Sequence, residues 1–209
     1  PDLHDLYGKA FEERYEQYEE MARNGELKLY KTLKAQNLWR KMLGMIFETG
    51  HPWMTFKEPC NLRSPQQHCG VVHSSNLCTE ITLNTNAEEI AVCNLGSVNL
   101  GEFVVESEGV TALDYERLGQ VVRQVVPFLD RVIDINYYPT DESGASNARW
   151  RPVGLGLMGL QDVFFKMGVA FDSPVARDVS RRISEEIYFN ALWASTELAE
   201  ASGAHEAFA

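Results

Sequence analysis

Asn76, Cys78 and Glu80 lie two residues apart in the run Ser75-Asn76-Leu77-Cys78-Thr79-Glu80, which continues an apolar/polar alternation through Ile81, Thr82 and Leu83. An extended chain points alternate side chains to opposite faces. The pattern therefore predicts a strand with an amide, a thiol and a carboxylate in a row on one face. Leu77, Thr79, Ile81 and Leu83 would form the backing face. A neighbouring negative charge disfavours a thiolate, so chemistry at Cys78 wants the neutral S–H rather than an ionic nucleophile. Taken alone, an Asn-x-Cys-x-Glu trio is weak, since short strands place such sets by chance.

Other residues compete for attention. Cys60, His68, Cys69, His73 and Cys78 suggest zinc, but the short Cys-x₂₋₄-Cys knuckles of structural zinc sites are missing. Gly154-Leu155-Gly156-Leu157-Met158-Gly159 matches G-x-G-x-x-G. A dinucleotide site needs a buried strand before that motif and an acidic residue at a strand end about 20 positions on. Arg149-Trp150-Arg151-Pro152 makes a poor buried strand, and Asp178 falls inside a helical pattern. Close packing of a glycine-rich strand against a helix is the preferred reading. Cys93, on an apolar stretch, reads from composition as a small buried hydrophobe.

The elements that must position these residues follow from periodicity. Helical spacing covers residues 3–22 and 31–48, the second placing Leu38, Trp39, Met42, Leu43 and Ile46 on a buried side. A short extended piece at 53–57 precedes a predicted loop over 59–68, which contains Pro59 and Pro65. Residues 71–83 and 89–100 read as extended. Thr111 and Asp114 open a helix to about Ile135 that Pro127 bends or divides. Residues 138–148 read as a loop, and 150–169 as a short strand followed by a helix. Ser173-Pro174 opens a last helix closing near Gly203. Strands interleaved with long helices predict an α/β architecture with no repeat and no internal linker.

The 209 residues suffice for one domain with a sizeable core, or for part of a larger one. The chain starts at Pro1 rather than Met and stops at Ala209 just after a helical pattern ends, so a fragment is expected. Hydrophobic content of 44% and charged content of 23% are ordinary for a globular protein. No apolar run approaches the roughly 20 residues of a membrane span, and no signal peptide is visible. A net charge of −11 argues against a broad nucleic-acid-binding surface, though not against a nucleotide in a local pocket. Four cysteines with no Cys-x-x-Cys fit a cytoplasmic protein with reduced thiols.

The longer stretch from Cys60 through Asn76-Leu77-Cys78-Thr79-Glu80-Ile81, followed by Glu89-Ile90-Ala91-Val92-Cys93-Asn94-Leu95, resembles the large catalytic subunit of aerobic class I ribonucleotide reductases. Arg151 to Asp162 resembles that family's glycine-rich strand–helix segment, and the likeness covers essentially the whole chain. The resemblance implies a single partial domain over residues 1–209, part of a ten-stranded α/β barrel with a central finger loop carrying Cys78 at its tip. It implies that Cys78 becomes a transient thiyl radical and takes the 3′ hydrogen of a ribonucleoside diphosphate. Glu80 matches the base for the 3′-hydroxyl proton, and Asn76 the amide that hydrogen-bonds the ribose hydroxyls. Ser75, Leu77 and Thr79 complete the substrate-binding stretch. Cys93 matches one of two redox cysteines that end as a disulfide and are re-reduced by thiol exchange.

The same resemblance implies no metal or cofactor on this chain. The radical would come from a metal-containing small subunit. The implied partners are a second large subunit and thioredoxin or glutaredoxin, with ATP and deoxynucleotides as effectors. Departures from the family pattern are the second redox cysteine, the effector-binding region, the radical-relay tyrosine pair, the phosphate-binding loop and the C-terminal cysteine pair. Tyr137-Tyr138 precede the glycine-rich segment and do not match the relay, and Cys69 matches no family role. The chain by itself is therefore expected not to turn over. A cobalamin-dependent reductase and a non-catalytic zinc or scaffold module stand as alternatives.

Overall fold

The computed structural model describes residues 2–208. The chain forms two compact units, one ending at Glu88 and the other beginning at Glu89.

The first unit opens with a 3-10 turn, Asp2–Asp5, followed by helices α1 (Gly8–Arg23), α2 (Ala35–Thr49) and α3 (Lys57–Leu62). Asp2 ties the turn to α1, accepting from Arg14 Nε at 2.6 Å and from the Tyr18 hydroxyl at 2.5 Å. α2 stops at Gly50, whose φ of +75° suits glycine and whose N–H reaches the Ile46 carbonyl at 2.8 Å. The expected burial of α2 is not realised. The helix has no buried residue, and Leu38, Trp39 and Leu43 are exposed. Amphipathic spacing specifies which face would be buried, not whether this stretch of chain supplies a cover.

α3 replaces the start of the predicted 59–68 loop. Pro59 sits in the helix's first turn, where its missing N–H has no intrahelical partner to lose. α3 carries the unit's anchor, Asn61, which is 1% exposed. Its amide donates to the Val72 carbonyl and accepts from the Val72 N–H, both at 2.9 Å, so one side chain satisfies the backbone as a neighbouring strand would.

In the second unit, β1 (Asn94–Asn99) pairs in parallel with β4 (Val153–Met158), Asn94 opposite Val153 and Asn99 opposite Met158. β2 (Val104–Ser107) and β3 (Val110–Leu113) form a hairpin the sequence reading missed. Its turn residues Glu108 and Gly109 both have positive φ, which matches the twist of a tight hairpin. α4 (Tyr115–Ile135) begins at Asp114, whose carboxylate accepts from the Arg117 N–H at 3.0 Å. It continues as a single helix through Pro127, because Val122, Val126 and Ile133 are buried on either side of the proline.

The predicted loop over 138–148 is mostly helix α5 (Asp141–Trp150). Thr140 caps it, and the small polar residues that suggested a loop are internally bonded. Ser143 donates to the Thr140 carbonyl at 2.8 Å, and Asn147 to the Tyr138 hydroxyl at 2.5 Å. Packing of buried Ser143, Ser146, Asn147 and Trp150 outweighs weak helix propensity. α6 (Leu160–Met167) and α7 (Pro174–Ser202) follow, the latter between the expected Ser173 cap and Gly203. Leu118, Val122, Phe164 and Ile183 centre the core that α4, α6 and α7 build with β1.

The G-x-G-x-x-G run spans β4 and the start of α6. A side chain at Gly154 would collide with Leu95 Cδ2 on β1, and Gly159, with φ of +75°, lies under the Asn99 carboxamide. The glycines admit neighbouring side chains, chiefly those of β1 rather than of the helix the sequence suggested.

Candidate active site

Residues 72–84 leave and return at one point, the Thr85 N–H reaching the Val71 carbonyl at 3.3 Å. The buried Asn84 closes over Gly70, where any side chain would strike its amide, and donates to the Gln66 carbonyl at 3.1 Å. With Asn61 gripping Val72, the segment is a loop with a fixed base.

The loop's outer part is not the strand that alternation predicted. The Thr79 N–H bonds to the Asn76 carbonyl at 3.1 Å, closing a turn with Leu77 and Cys78 at its centre. Thr79 has φ of +69°, an outlier for a β-branched residue, costing about 1–3 kcal/mol. Alternation fails because a loop without a ladder partner has nothing to hold it extended. Side-chain bonds hold it folded instead. Asn76 Nδ2 donates to Glu80 Oε1 at 2.8 Å, Asn76 Oδ1 accepts from the Ile81 N–H at 3.1 Å, and the Ser75 hydroxyl donates to the Ile81 carbonyl at 2.6 Å. The turn thus brings Asn76 and Glu80 together by folding rather than by strand period, and leaves Cys78 exposed at the tip beside Leu77.

Ser75, Asn76, Leu77, Cys78 and Thr79 line a cavity of about 700 Å³. Glu80 is not on its wall and stands behind Asn76. Trp53, Lys57, Cys60 and His73 also line the cavity, and the sequence marks only Cys60 and His73 of these as metal candidates. Among the described residues, no group of three or more His, Cys, Asp or Glu side chains is placed to hold a metal ion.

His73 is held on both sides, Nε2 lying 2.9 Å from Asp5 Oδ1 and Nδ1 2.9 Å from Thr85 Oγ1, with the His4 ring stacked at 4.3 Å. A neutral ring protonated at Nε2 donates to the carboxylate and accepts from the hydroxyl. Lys57 Nζ donates to the carbonyls of His4 and, at 3.1 Å, Leu6. Burial pushes the Lys57 ammonium below the ordinary lysine range, with Asp5 opposing the shift. No spacing rule flags Lys57 or Asn61, because their bonds are to residues distant along the chain.

Cys93 belongs to the second unit. It precedes β1 rather than lying within it, is half-buried, and its Sγ is 3.5 Å from where a side chain at Gly154 would begin. Among the described residues, no helix is long and apolar enough to cross a membrane.

Comparison with known proteins identifies the family. The family model described as "Ribonucleotide reductase, barrel domain" matches residues 1–209. A ribonucleoside-diphosphate reductase subunit alpha from Chlamydia muridarum is 49% identical over 100% of this chain and 20% of its own length. A ribonucleoside-diphosphate reductase large subunit from Arabidopsis thaliana is 43% identical over 100% of this chain and 27% of its own length. The solved structure of the Actinobacillus ureae class Id ribonucleotide reductase alpha subunit superposes with a TM-score of 0.72 at 31% identity. It covers 82% of this chain and 33% of that one. The chain therefore spans between 20% and 33% of the length of these relatives. With a family match over its whole length and a loop that presents a thiol on a turn tied by an amide and a carboxylate, the chain belongs to the ribonucleotide reductase barrel-domain family.

Proposed function

We propose that this chain contributes the radical site of a class I ribonucleoside-diphosphate reductase, with Cys78 as the hydrogen-atom carrier. The observation that carries the reading is the turn at Asn76–Thr79, in which Cys78 lies exposed at the tip on the lining of a cavity while Asn76 and Glu80 are joined at 2.8 Å. A partner small subunit supplies the oxidising equivalent that removes a hydrogen atom from the Cys78 S–H. The thiyl takes the 3′ hydrogen of the substrate, restoring S–H and leaving a carbon radical. Glu80 accepts the 3′-hydroxyl proton, and Asn76 orients the ribose hydroxyls. The 2′ oxygen leaves as water and a hydrogen takes its place. Two electrons and two protons come from a thiol pair that includes Cys93 and ends as a disulfide. Cys78 then returns its hydrogen atom to C3′.

The neutral thiol suits this chemistry. Hydrogen-atom transfer needs S–H, so the nearby carboxylate is no obstacle. The remaining parts of the reading are a second large subunit, thioredoxin or glutaredoxin as reductant, ATP and deoxynucleotide effectors on the full-length subunit, and a cytoplasmic setting.

The test is Cys78→Ser in the full-length subunit assayed with its small subunit. Deoxynucleotide formation is expected to disappear, because a hydroxyl O–H is a far poorer hydrogen-atom partner. Thermal unfolding of the variant is expected to be unchanged, because Cys78 is exposed. Retained reduction would overturn the assignment.

A further inference from the structure

Glu89 is a buried carboxylate in the second unit to which the chemistry above gives no role. Its side chain is 8% exposed, and its Oε1 accepts from Arg149 Nη1 at 2.9 Å and from Trp150 Nε1 at 3.2 Å. The Arg149 guanidinium also lies 5.1 Å from the Trp150 ring centroid, and its Nε is 3.4 Å from Glu206 Oε1. A buried charge is costly unless paired, and an apolar residue of similar volume is often at least as stable. What the carboxylate adds is direction, because one oxygen fixes two donors at once.

The position of those donors matters. Arg149 and Trp150 end α5, and the chain then turns at Arg151, with φ of +45°, to enter β4 at Val153. Arg151 is itself gripped by Asp130 and Asp134 on α4, at 2.9 Å to each. On the other side, Cys93 follows Glu89 by four residues. The Ile90 N–H donates to the Glu142 carbonyl in the first turn of α5 at 3.4 Å. At its far end the segment joins β1, where Asn94 is in register with Val153. Residues 89–93 lie outside the strands, so these two ends, together with the contact of Cys93 Sγ to the Asn94 carbonyl at 3.9 Å, orient the Cys93 thiol.

We propose that Glu89 is a positioning residue. Clamped by Arg149 and Trp150, it fixes the approach of residues 89–93 so that the Cys93 thiol is held over Gly154 in the orientation its two-electron step requires. Gly154 completes the arrangement, since its lack of a side chain leaves room for Leu95 while the Cys93 thiol lies in contact range of the same position. The functional half of the proposal rests on the redox role assigned to Cys93. The geometric half does not.

The two halves are tested separately. In the 209-residue chain, Glu89→Gln is expected to raise the alkylation rate of Cys93 by iodoacetamide about tenfold, with Cys60 and Cys69 as unchanged internal references read by mass spectrometry. Replacing Trp150 with β-(3-benzothienyl)alanine keeps the bicyclic ring and removes only the N–H, and should give a smaller change in the same direction. Unchanged Cys93 alkylation in both variants would overturn the clamp. In the full-length subunit, pre-reduced and mixed with small subunit and substrate, Glu89→Gln should slow Cys93 disulfide formation about 100-fold, the scale of a displacement near 1 Å. Hydrogen exchange at the substrate 3′ position should persist. Equal loss of both readouts would mean general collapse and would refute positioning. Retained reduction by Cys93→Ser would overturn the redox role, leaving the alkylation result to judge the clamp.

Discussion

Asn76→Ala probes the turn that presents Cys78. The substitution removes the 2.8 Å bond to the Glu80 carboxylate and the 3.1 Å bond accepted from the Ile81 N–H, while the backbone bond from Thr79 to Asn76 and the Ser75–Ile81 bond remain available. A net hydrogen bond contributes about 0.5–1.5 kcal/mol, and one to a charged group more. Exposure reduces both values here, so their sum is about 2 kcal/mol. These bonds act against the strained Thr79 backbone, so their loss should favour an opened loop about 30-fold. The assay is amide hydrogen exchange at Ile81, with amides of α4 as reference. The substitution Asn76→Asp sharpens the test. It keeps an acceptor for the Ile81 N–H but sets two carboxylates side by side, so protection should be weaker at neutral pH. An Ile81 protection factor within about twofold of the parent chain in Asn76→Ala would refute the reasoning, because the side-chain bonds would then not be what holds the turn.

Two further expectations concern the second unit. A side chain at Gly119 on α4 would lie 2.6 Å from the Asn190 amide on α7, and Asn190 is 5% exposed and held by Arg123 at 2.7 Å. Gly119→Ala should therefore cost about 1–2 kcal/mol in urea denaturation, overpacking outweighing a gain of about 1 kcal/mol in helix propensity. In an Asn190→Ala background the same change should be neutral or stabilising, and an equal cost in both backgrounds would sink the steric account. Hydrogen bonds from Arg151 hold the Asp134 carboxyl below the usual carboxylate range. A lowered folded value contributes stability that is complete above about pH 4–5 and is lost as pH falls through the depressed value. Asp134→Asn should flatten that acid limb by less than about 1 kcal/mol, since the side chain is 44% exposed. An unchanged limb would contradict the assignment.

The relation of sequence to structure differs between the two units. Where a helix carries its own signals, sequence and structure coincide: Asp114 and Ser173 cap α4 and α7, and Gly203 ends α7, although Thr111 lies in β3 rather than at the helix start. These are local effects, complete within a few residues. Where structure depends on distant partners, the reading went astray. Small polar residues suggest a loop over 138–148, but burial and internal bonds hold them in α5, and the Glu108-Gly109 hairpin depends on a pairing that no single stretch announces.

The candidate site residues divide in the same way. Residue type and order along the chain, with the family resemblance of the surrounding stretch, single out Asn76, Cys78 and Glu80 as candidates and suggest that the thiol works as S–H. The arrangement was decided only in three dimensions. Alternation predicted a flat row, but without a ladder partner the segment folds into a turn, which pairs Asn76 with Glu80 and leaves Cys78 at the tip. The base set by Asn61 and Asn84, the cavity wall with His73 and Lys57, and the Glu89 clamp near Cys93 join residues far apart in the chain. A side chain's chemistry is written at its own position, whereas its neighbours are chosen by the folding of everything between them.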